Sequence, residues 1–328
     1  MTMVLRMIKN KNPVSIVMKD HVIRCVSTKL SANKLTIKQY GERYIPSGII
    51  REGRIVDRDT LIMILEECVE EWNIKKQYVS FVVPDTYIIM RKISVDGDLE
   101  GEEIRGELFL EIGSTIHLPF ENPVFDFHII EHEEDKTNLL LFAAPLNIVE
   151  EYIDVFEEVH LNPLAADISS LAIYRLYHSL MQVDGSEHTL SLQFSLENIG
   201  VSIFNDHMPV FMRQISVALE ELRWEVSDNE LVWKGEPEVL MSQLEDAFME
   251  IEKVINFYQY SVNHGKEQIT RILLTGDHPL YENIIARLEK QFEMPIDVIN
   301  PELILTDNGD PIEPKYFLPF GLALKEVR

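Results

Sequence analysis

The sequence is poor in cysteine and in basic residues, and each shortage excludes a class of protein. It has two cysteines in 328 residues, Cys25 and Cys68, and neither belongs to a Cys-x-x-Cys pair. Both lie among apolar residues, which predicts buried thiols in a reducing compartment and no disulfide framework. The 30 Lys and Arg residues face 55 Asp and Glu residues, a net charge of −25. This balance argues against a nucleic-acid-binding protein and against direct electrostatic docking on an anionic membrane.

Long apolar runs are also missing. The best candidate for a membrane span, residues 139–149, is too short and is interrupted by Pro145. The N-terminal residues include basic side chains but neither the apolar core nor the cleavage site of a signal peptide. We therefore expect a cytosolic protein, which a partner could still tether.

Common catalytic motifs are absent as well. There is no Gly-x-x-x-x-Gly-Lys loop and no Gly-x-Ser-x-Gly turn. His128 and His132 are four residues apart, but they fall on a predicted strand and its exit, whereas a metal-binding pair at this spacing needs a helix. We interpret them as surface residues and predict no metal site.

The chain does contain strands that alternate with helices in both halves. An apolar fraction of 46% over 328 residues is that of a soluble protein with two domains of ordinary size. The alternation predicts an α/β architecture of two lobes with a cleft between them. Apolar spacing predicts helices at 57–72 (capped by Asp57 or Asp59), 99–112, 148–159 (capped by Asn147), 169–181, 240–262, 281–291 and 316–327.

Two matching hairpins open the two halves of the chain, Val14–Ser27 and Leu190–Phe204. Each is a strand, a short polar turn and a second strand, and a third strand follows at Lys34–Tyr40 in one case and Met208–Ser216 in the other. The polar residues 182–187 form the best linker between the halves. The restart predicts an internal repeat that is visible in topology more than in residue identity.

A series of short segments, in their order and spacing, resembles the PilM family of type IV pilus and competence-type assembly proteins. They extend over nearly the whole chain: Val82–Ile93, Glu111 with His117–Phe120, Phe125–Phe127, Leu141–Pro145, His160–Pro163, Asp167–Arg175, Glu250–Tyr258, Ile272–Gly276 and Phe320–Leu324.

This resemblance implies an actin-like (ribonuclease H-like) α/β fold. The first lobe would be residues 1–181, including an inserted small subdomain at about 79–160 of the kind found in PilM and its division relative FtsA. The second lobe would be residues 182–328, with a reduced subdomain, since 217–248 is short for the usual helical one.

The resemblance also implies partners. PilM-like proteins bind the cytoplasmic N-terminal tail of PilN, a bitopic membrane protein, and the assembly ATPase is a second candidate partner. The tail would bind between the small subdomain and the sheet of the first hairpin, and the partner-binding candidates are Arg91, Glu111 and Phe120. Arg91 and Glu111 could instead form a structural ion pair, and Phe120, between two prolines, could fill the core.

The phosphate-binding chemistry of actin-like ATPases is missing from both hairpins. In those proteins each hairpin turn carries Asp-x-Gly, in which the glycine lets backbone N–H groups approach the phosphates and the aspartate positions Mg²⁺. The corresponding positions hold Val17 and Lys19 in the first hairpin and Gln193 and Ser195 in the second.

One further nucleotide-site candidate remains. Gly276 keeps one glycine of the adenosine-side motif, but Asp277 replaces the second. We therefore predict a degenerate cofactor site, a pseudo-ATPase without ATP or Mg²⁺ as cofactors, and an adaptor or scaffold role. Two alternatives stay open: a functional actin-like ATP-binding protein of the same machinery, and the cytoplasmic domain of a GspL-like type II secretion protein, which normally continues into a transmembrane helix.

Overall fold

The computed structural model describes residues 13–31, 34–97, 99–181, 183–217, 224–227 and 230–327. The first half of the chain contains these strands and α-helices in order: β1 (Val14–Met18), β2 (Val22–Ser31), β3 (Lys34–Tyr44), β4 (Ile50–Arg51), β5 (Arg54–Ile55), α1 (Arg58–Glu71), β6 (Tyr78–Val82), β7 (Ile89–Asp96), α2 (Glu102–Glu111), β8 (Pro123–His132), β9 (Lys136–Pro145), α3 (Leu146–Glu158), β10 (Asn162–Asp167) and α4 (Ser169–Met181).

The second half begins with the second hairpin. Its elements are β11 (Thr189–Phe194), β12 (Asn198–Asn205), β13 (Met208–Ser216), β14 (Trp224–Ser227), β15 (Glu230–Trp233), α5 (Pro237–Asn256), β16 (Arg271–Gly276), α6 (Tyr281–Gln291), β17 (Ile296–Val298) and α7 (Phe317–Ala323).

The two large sheets have the same topology. The first has the order β10-β6-β1-β2-β3 and the second β17-β16-β11-β12-β13. In each, an antiparallel meander of three strands continues through parallel pairs, β1 with β6 and β6 with β10, or β11 with β16 and β16 with β17. The internal repeat predicted from the two hairpins is confirmed. Because the first strand of each hairpin is parallel to its neighbour, the hairpin turns lie at the carboxyl edges of the sheets.

A small subdomain is inserted between β6 and β10. It is a three-stranded antiparallel sheet in the order β7-β9-β8. Its own small core joins α2 to the sheet through Ile104 and Leu108 of the helix and Val95, Leu139 and Leu141 of the strands. The helix buries only these two side chains, so its opposite face remains exposed.

Helix α4 connects the first lobe to the second. Its Tyr177 hydroxyl donates to the carbonyl oxygens of Leu274 (2.5 Å) and Asp297 (3.0 Å), which lie on β16 and β17. Its Tyr174 ring stacks on Phe204 of β12 with centroids 3.9 Å apart. Helix α7 packs against α4, β1 and β2, so the end of the chain closes on the first sheet. The lobe boundary predicted near residue 182 remains a prediction.

Local sequence chemistry explains α1. Asp57 precedes the helix and its carboxylate accepts from Thr60 N–H at 3.1 Å, which confirms the predicted cap. The buried face repeats at helical spacing, with Leu61, Leu65 and Val69 in the core. The two cysteines are free and buried, as predicted.

The predicted cap of α3 is wrong. The helix begins at Leu146 directly after Pro145, so Asn147 lies inside the first turn and makes no capping bond. The Leu146 N–H donates instead to the carbonyl oxygen of Asn122 at 3.0 Å. A loop from the small subdomain therefore satisfies a backbone group that a cap would otherwise serve.

Some short elements were not predicted. The hairpin β14–β15 lies in the segment expected to form a reduced subdomain, and β4–β5, earlier in the chain, is a further unpredicted hairpin. Helix α5 ends at Asn256 and continues as a π-helical turn, Phe257–Val262, instead of running regularly to Val262. No helix among the described residues is long and apolar enough to cross a bilayer.

Candidate functional site

The turns of the two hairpins meet at the cleft between the lobes. Lys19 follows β1 and Ser195 follows β11, and the structure brings these two residues, predicted from corresponding positions, into direct contact. The Lys19 ammonium donates to Ser195 Oγ at 2.7 Å. The carboxyl edge of parallel strands is the usual ligand position in open α/β sheets. Here a lysine side chain lies across that position.

Lys19 also contacts the second lobe at the end of β16. Its Nζ is 2.9 Å from Oδ1 of Asp277, whose side chain is only 3% exposed. The other carboxylate oxygen, Oδ2, accepts from the guanidinium of Arg24 on β2. One aspartate of the second lobe is thus held by two cations of the first.

The ion pairs continue across the first sheet. Arg24 and Glu42 are direct partners in the β2–β3 register, and Arg24 Nε donates to Glu42 Oε2 at 2.5 Å. Lys315, just before α7, lies 3.1 Å from Glu42 Oε1. We call Lys19, Arg24, Glu42, Asp277 and Lys315 the cleft ion cluster. It alternates in charge, so each buried carboxylate has a cation on either side.

Burial and charge set the protonation states around the cleft ion cluster. Burial alone would raise the pKa of Asp277, but attraction by Lys19 and Arg24 outweighs it and holds that pKa well below its ordinary range. Burial lowers the pKa values of His21 and His278 to about 4, which keeps both imidazoles neutral beside the cations at pH 7. The cluster therefore keeps its ionised carboxylate at physiological pH.

Asp20 lies in the first hairpin turn and is partly buried. Its carboxylate accepts from the backbone N–H groups of Glu52 and of Gly53, the latter at 2.8 Å. Burial, then repulsion by Glu197 from the other lobe, raises its pKa to about 6. The carboxylate serves the β4–β5 turn.

The remaining nucleotide-site candidates are used for packing. Val17 is buried in the core that joins the lobes, and Gln193 is buried between β12 and β16. Gly276 has φ +144°, and a Cβ there would lie 2.0 Å from the carbonyl oxygen of Phe194. The glycine is required because β16 passes close to β11 at this point.

The residues present do not fit a nucleotide with its metal ion. The cleft between the hairpin turns has a cavity of about 60 Å³, with a further gap of about 10 Å³ beside Gly276. Pockets for ligands of drug size usually measure roughly 300–1,000 Å³. Within the described parts of the chain, no group of three or more His, Cys, Asp or Glu side chains is arranged to hold a metal ion. His128 and His132 both lie on β8.

A much larger groove lies on the small subdomain. Its volume is about 890 Å³, and its apolar lining comes from the end of α2, the following loop, β8 and the first residue of α3: Phe109, Leu118, Phe120, Val124, Phe125 and Leu146. We call it the small-subdomain groove. Phe109 is 74% exposed and Leu146 is 37% exposed, so apolar surface faces solvent here.

The three partner-binding candidates are only partly brought together. Phe120 lines the small-subdomain groove and is half-buried there, so it does not fill the core. Glu111 ends α2 next to Ile112, which lines the groove. Arg91 is exposed on β7, the strand farthest from β8, and the hairpin β1–β2 does not line the groove. Arg91 and Glu111 form no ion pair with each other.

Sequence reasoning missed three members of the cleft ion cluster, namely Arg24, Glu42 and Lys315. A signal for one of them was present: Arg24 interrupts the apolar run of β2, from Val22 to Val26. A charged residue at a buried strand position requires a partner. Which residue that partner is depends on the register with β3 and on how the lobes meet.

Comparisons with known proteins agree with this architecture. The family model described as "Type IV pilus assembly protein PilM" matches residues 16–327. No curated protein sequence matches the chain. The solved PilM-PilN type IV pilus biogenesis complex is similar with a TM-score of 0.76 and 18% identity, covering 97% of this chain and 99% of that chain.

Two further solved structures have lower similarity. The ethanolamine utilization protein EutJ from Carboxydothermus hydrogenoformans has a TM-score of 0.50 at 11% identity, covering 95% of this chain and 89% of its own. The cytoplasmic domain of EpsL, an inner membrane component of the type II secretion system of Vibrio cholerae, has a TM-score of 0.47 at 10% identity, covering 95% and 94%. At these identities the solved structures show the fold alone, and the predicted actin-like α/β fold is confirmed.

Proposed function

The chain belongs to the PilM family of type IV pilus assembly proteins, and we propose that it acts there as an adaptor that binds the cytoplasmic tail of a PilN-like membrane protein without hydrolysing ATP. The solved PilM-PilN complex is similar to this chain over 97% of this chain and 99% of that chain. That likeness supports a partner of the same kind. It also supports a position at the inner face of the membrane that depends on the partner.

One observation carries the adaptor proposal: the small subdomain has a large open groove, whereas the cleft between the hairpin turns has little open volume. The small-subdomain groove measures about 890 Å³, against about 60 Å³ between the hairpin turns. Its lining is apolar and aromatic, which suits side chains of an extended peptide. Its lining includes the first three residues of β8, an edge strand, and edge strands bind extended peptides through main-chain hydrogen bonds.

The proposal is tested by titrating the protein with a fluorescent peptide that carries the cytoplasmic tail of the PilN-like protein from the same genome. We expect saturable binding, and about tenfold or greater weakening in Phe120→Ala, because burying one phenylalanine contributes about 1.5–3 kcal/mol. Phe257→Ala is the matched control, since Phe257 is also a partly exposed aromatic but lies on the second lobe.

Two results contradict the proposal. One is the absence of tail binding at every accessible concentration, and the other is equal binding by wild type and Phe120→Ala. Calorimetric titration with Mg-ATP tests the alternative of a working ATP-binding protein, and we expect no binding heat. Tight ATP binding that is lost on changing Gln193 would favour that alternative.

A further inference from the structure

The cleft ion cluster is built like an occupied anion site. Lys19 Nζ meets Asp277 Oδ1 at 2.9 Å, and the guanidinium of Arg24 meets the other oxygen, Oδ2. Two cations of different strands thus share one anion, each through its own oxygen, which is how lysine and arginine side chains hold a phosphate. The anion, however, belongs to the protein.

The cluster also spans the two lobes. Lys19 and Arg24 belong to the first hairpin, whereas Asp277 follows β16 of the second sheet, and its own N–H donates to the carbonyl oxygen of Phe194 at 3.0 Å. Ser195 adds a second contact between lobes through Lys19. These bonds join the two lobes across the cleft.

Asp277 supplies the negative charge that pairs with Lys19 and, together with Glu42, with Arg24. Arg24 retains Glu42 as a partner whether or not Asp277 is ionised, but Lys19 has Asp277 as its one ion-pair partner among the described residues. Removing the carboxylate leaves two neighbouring cations facing a space that had held an anion. Buried charge without a partner is strongly unfavourable.

We propose that Asp277 is a built-in anionic ligand, whose carboxylate takes the place of a phosphate group between Lys19 and Arg24 and holds the lobes together without a nucleotide. This inference rests on the non-hydrolysing part of the proposed function and is independent of tail binding. It assigns a latent site for inorganic phosphate or a similar oxyanion to the space that Asp277 fills.

The test is thermal unfolding of the full chain with and without inorganic phosphate at constant ionic strength. Asp277→Ala is expected to lower the Tm by about 5–10 °C. About 100 mM phosphate is expected to restore about 3–5 °C of that loss and to leave wild type within about 1 °C. Asp277→Asn removes the charge but its side chain still fills the space, so we expect a lower Tm without recovery by phosphate. If Asp277→Ala fails to fold, phosphate in the refolding buffer is expected to recover folded protein.

Two further variants make the result specific. Asp297→Ala breaks an ion pair with Arg271 elsewhere on the second sheet and is the matched control, for which we expect no recovery by phosphate. Adding Lys19→Ala to Asp277→Ala removes one cation and is expected to abolish the recovery. If phosphate stabilises every variant alike, or stabilises none, this inference is overturned and the proposed function is unaffected. A rise in wild-type Tm with Mg-ATP also overturns this inference, whereas only ATP hydrolysis by wild type overturns the non-hydrolysing part of the proposed function.

Discussion

Replacing Gly276 by alanine tests whether this residue is retained for packing or for nucleotide binding. The backbone there has φ +144°, and an added Cβ would lie 2.0 Å from the carbonyl oxygen of Phe194 and 2.7 Å from its carbonyl carbon. The conformation costs an L-residue about 1–3 kcal/mol. The contact is with backbone, which cannot rotate away, so β11 and β16 must separate at a further cost of about 1–3 kcal/mol. We expect Gly276→Ala to lower the free energy of unfolding by about 2–6 kcal/mol.

Two other glycines separate these contributions. Gly309 has φ +88° but no atom within 4 Å of an added Cβ, so Gly309→Ala reports backbone strain alone. Gly106 lies inside α2 with equally open surroundings, and Gly106→Ala is expected to stabilise the protein by about 0.5–1 kcal/mol because alanine favours helix.

The assay is urea unfolding followed by circular dichroism at pH 7, without nucleotide, for wild type and the three variants. The predicted order, from most to least stable, is Gly106→Ala, wild type, Gly309→Ala and Gly276→Ala. A Gly276→Ala protein as stable as Gly309→Ala would refute the packing argument. Wild-type stability combined with lost ATP binding would show that the glycine serves a nucleotide.

Three other measurements probe the packing and protonation of the fold. His278→Asn should make the protein less sensitive to acid. Burial lowers the pKa of His278 to about 4, so as pH falls below about 6.5 the unfolded chain takes up a proton before the folded protein does. Urea titrations should show that the variant loses about 2 kcal/mol less stability than wild type between pH 7 and pH 5. Tyr177→Phe should lower the free energy of unfolding by about 1–2 kcal/mol, because it removes the donor to Leu274 and Asp297; unchanged urea midpoints would contradict the bond. Leu108→Ala should lower the free energy of unfolding by about 2–5 kcal/mol in the same assay, since this side chain of α2 is fully buried in the small core. A loss below about 1 kcal/mol would mean that the small core is not packed as described.

Much of the fold could be predicted because its signals are local. The hairpins, the β13 strand and helices α4 and α6 follow from apolar spacing and turn residues within a few positions, and the order of short motifs identified the family before any coordinates. The cap of α3 could not be predicted, because the partner of Leu146 N–H is a carbonyl oxygen of Asn122, in a loop earlier in the chain. The π-helical turn after α5 likewise ends in a bond from Asn263 N–H to the carbonyl oxygen of Tyr258 that no propensity encodes.

The candidate site was predictable only in part. Lys19 and Ser195 were identified by their positions in matching turns, yet their contact joins residues 176 positions apart, and the Lys19–Asp277 pair spans 258 positions. Such pairs depend on how two separately folded sheets meet, which apolar patterning does not specify. Phe120 lies in the groove because the loop after α2 and the start of α3 come together there, and that is also a long-range event.

Apolar packing and the cleft ion cluster both join the lobes, but they have different effects. Stacking of Tyr174 on Phe204 and the shared core around Val17 remove apolar surface from water, which favours association but tolerates small changes in orientation. The cleft ion cluster contributes less net free energy than its Coulomb attraction suggests, because its groups lose hydration. Its hydrogen bonds are directional, however, and Lys19 and Arg24 must reach both oxygens of Asp277 at once. We therefore expect the cluster to define one angle between the lobes, so that Asp277→Ala broadens the distribution of distances between spin labels on the two lobes even where phosphate restores its Tm.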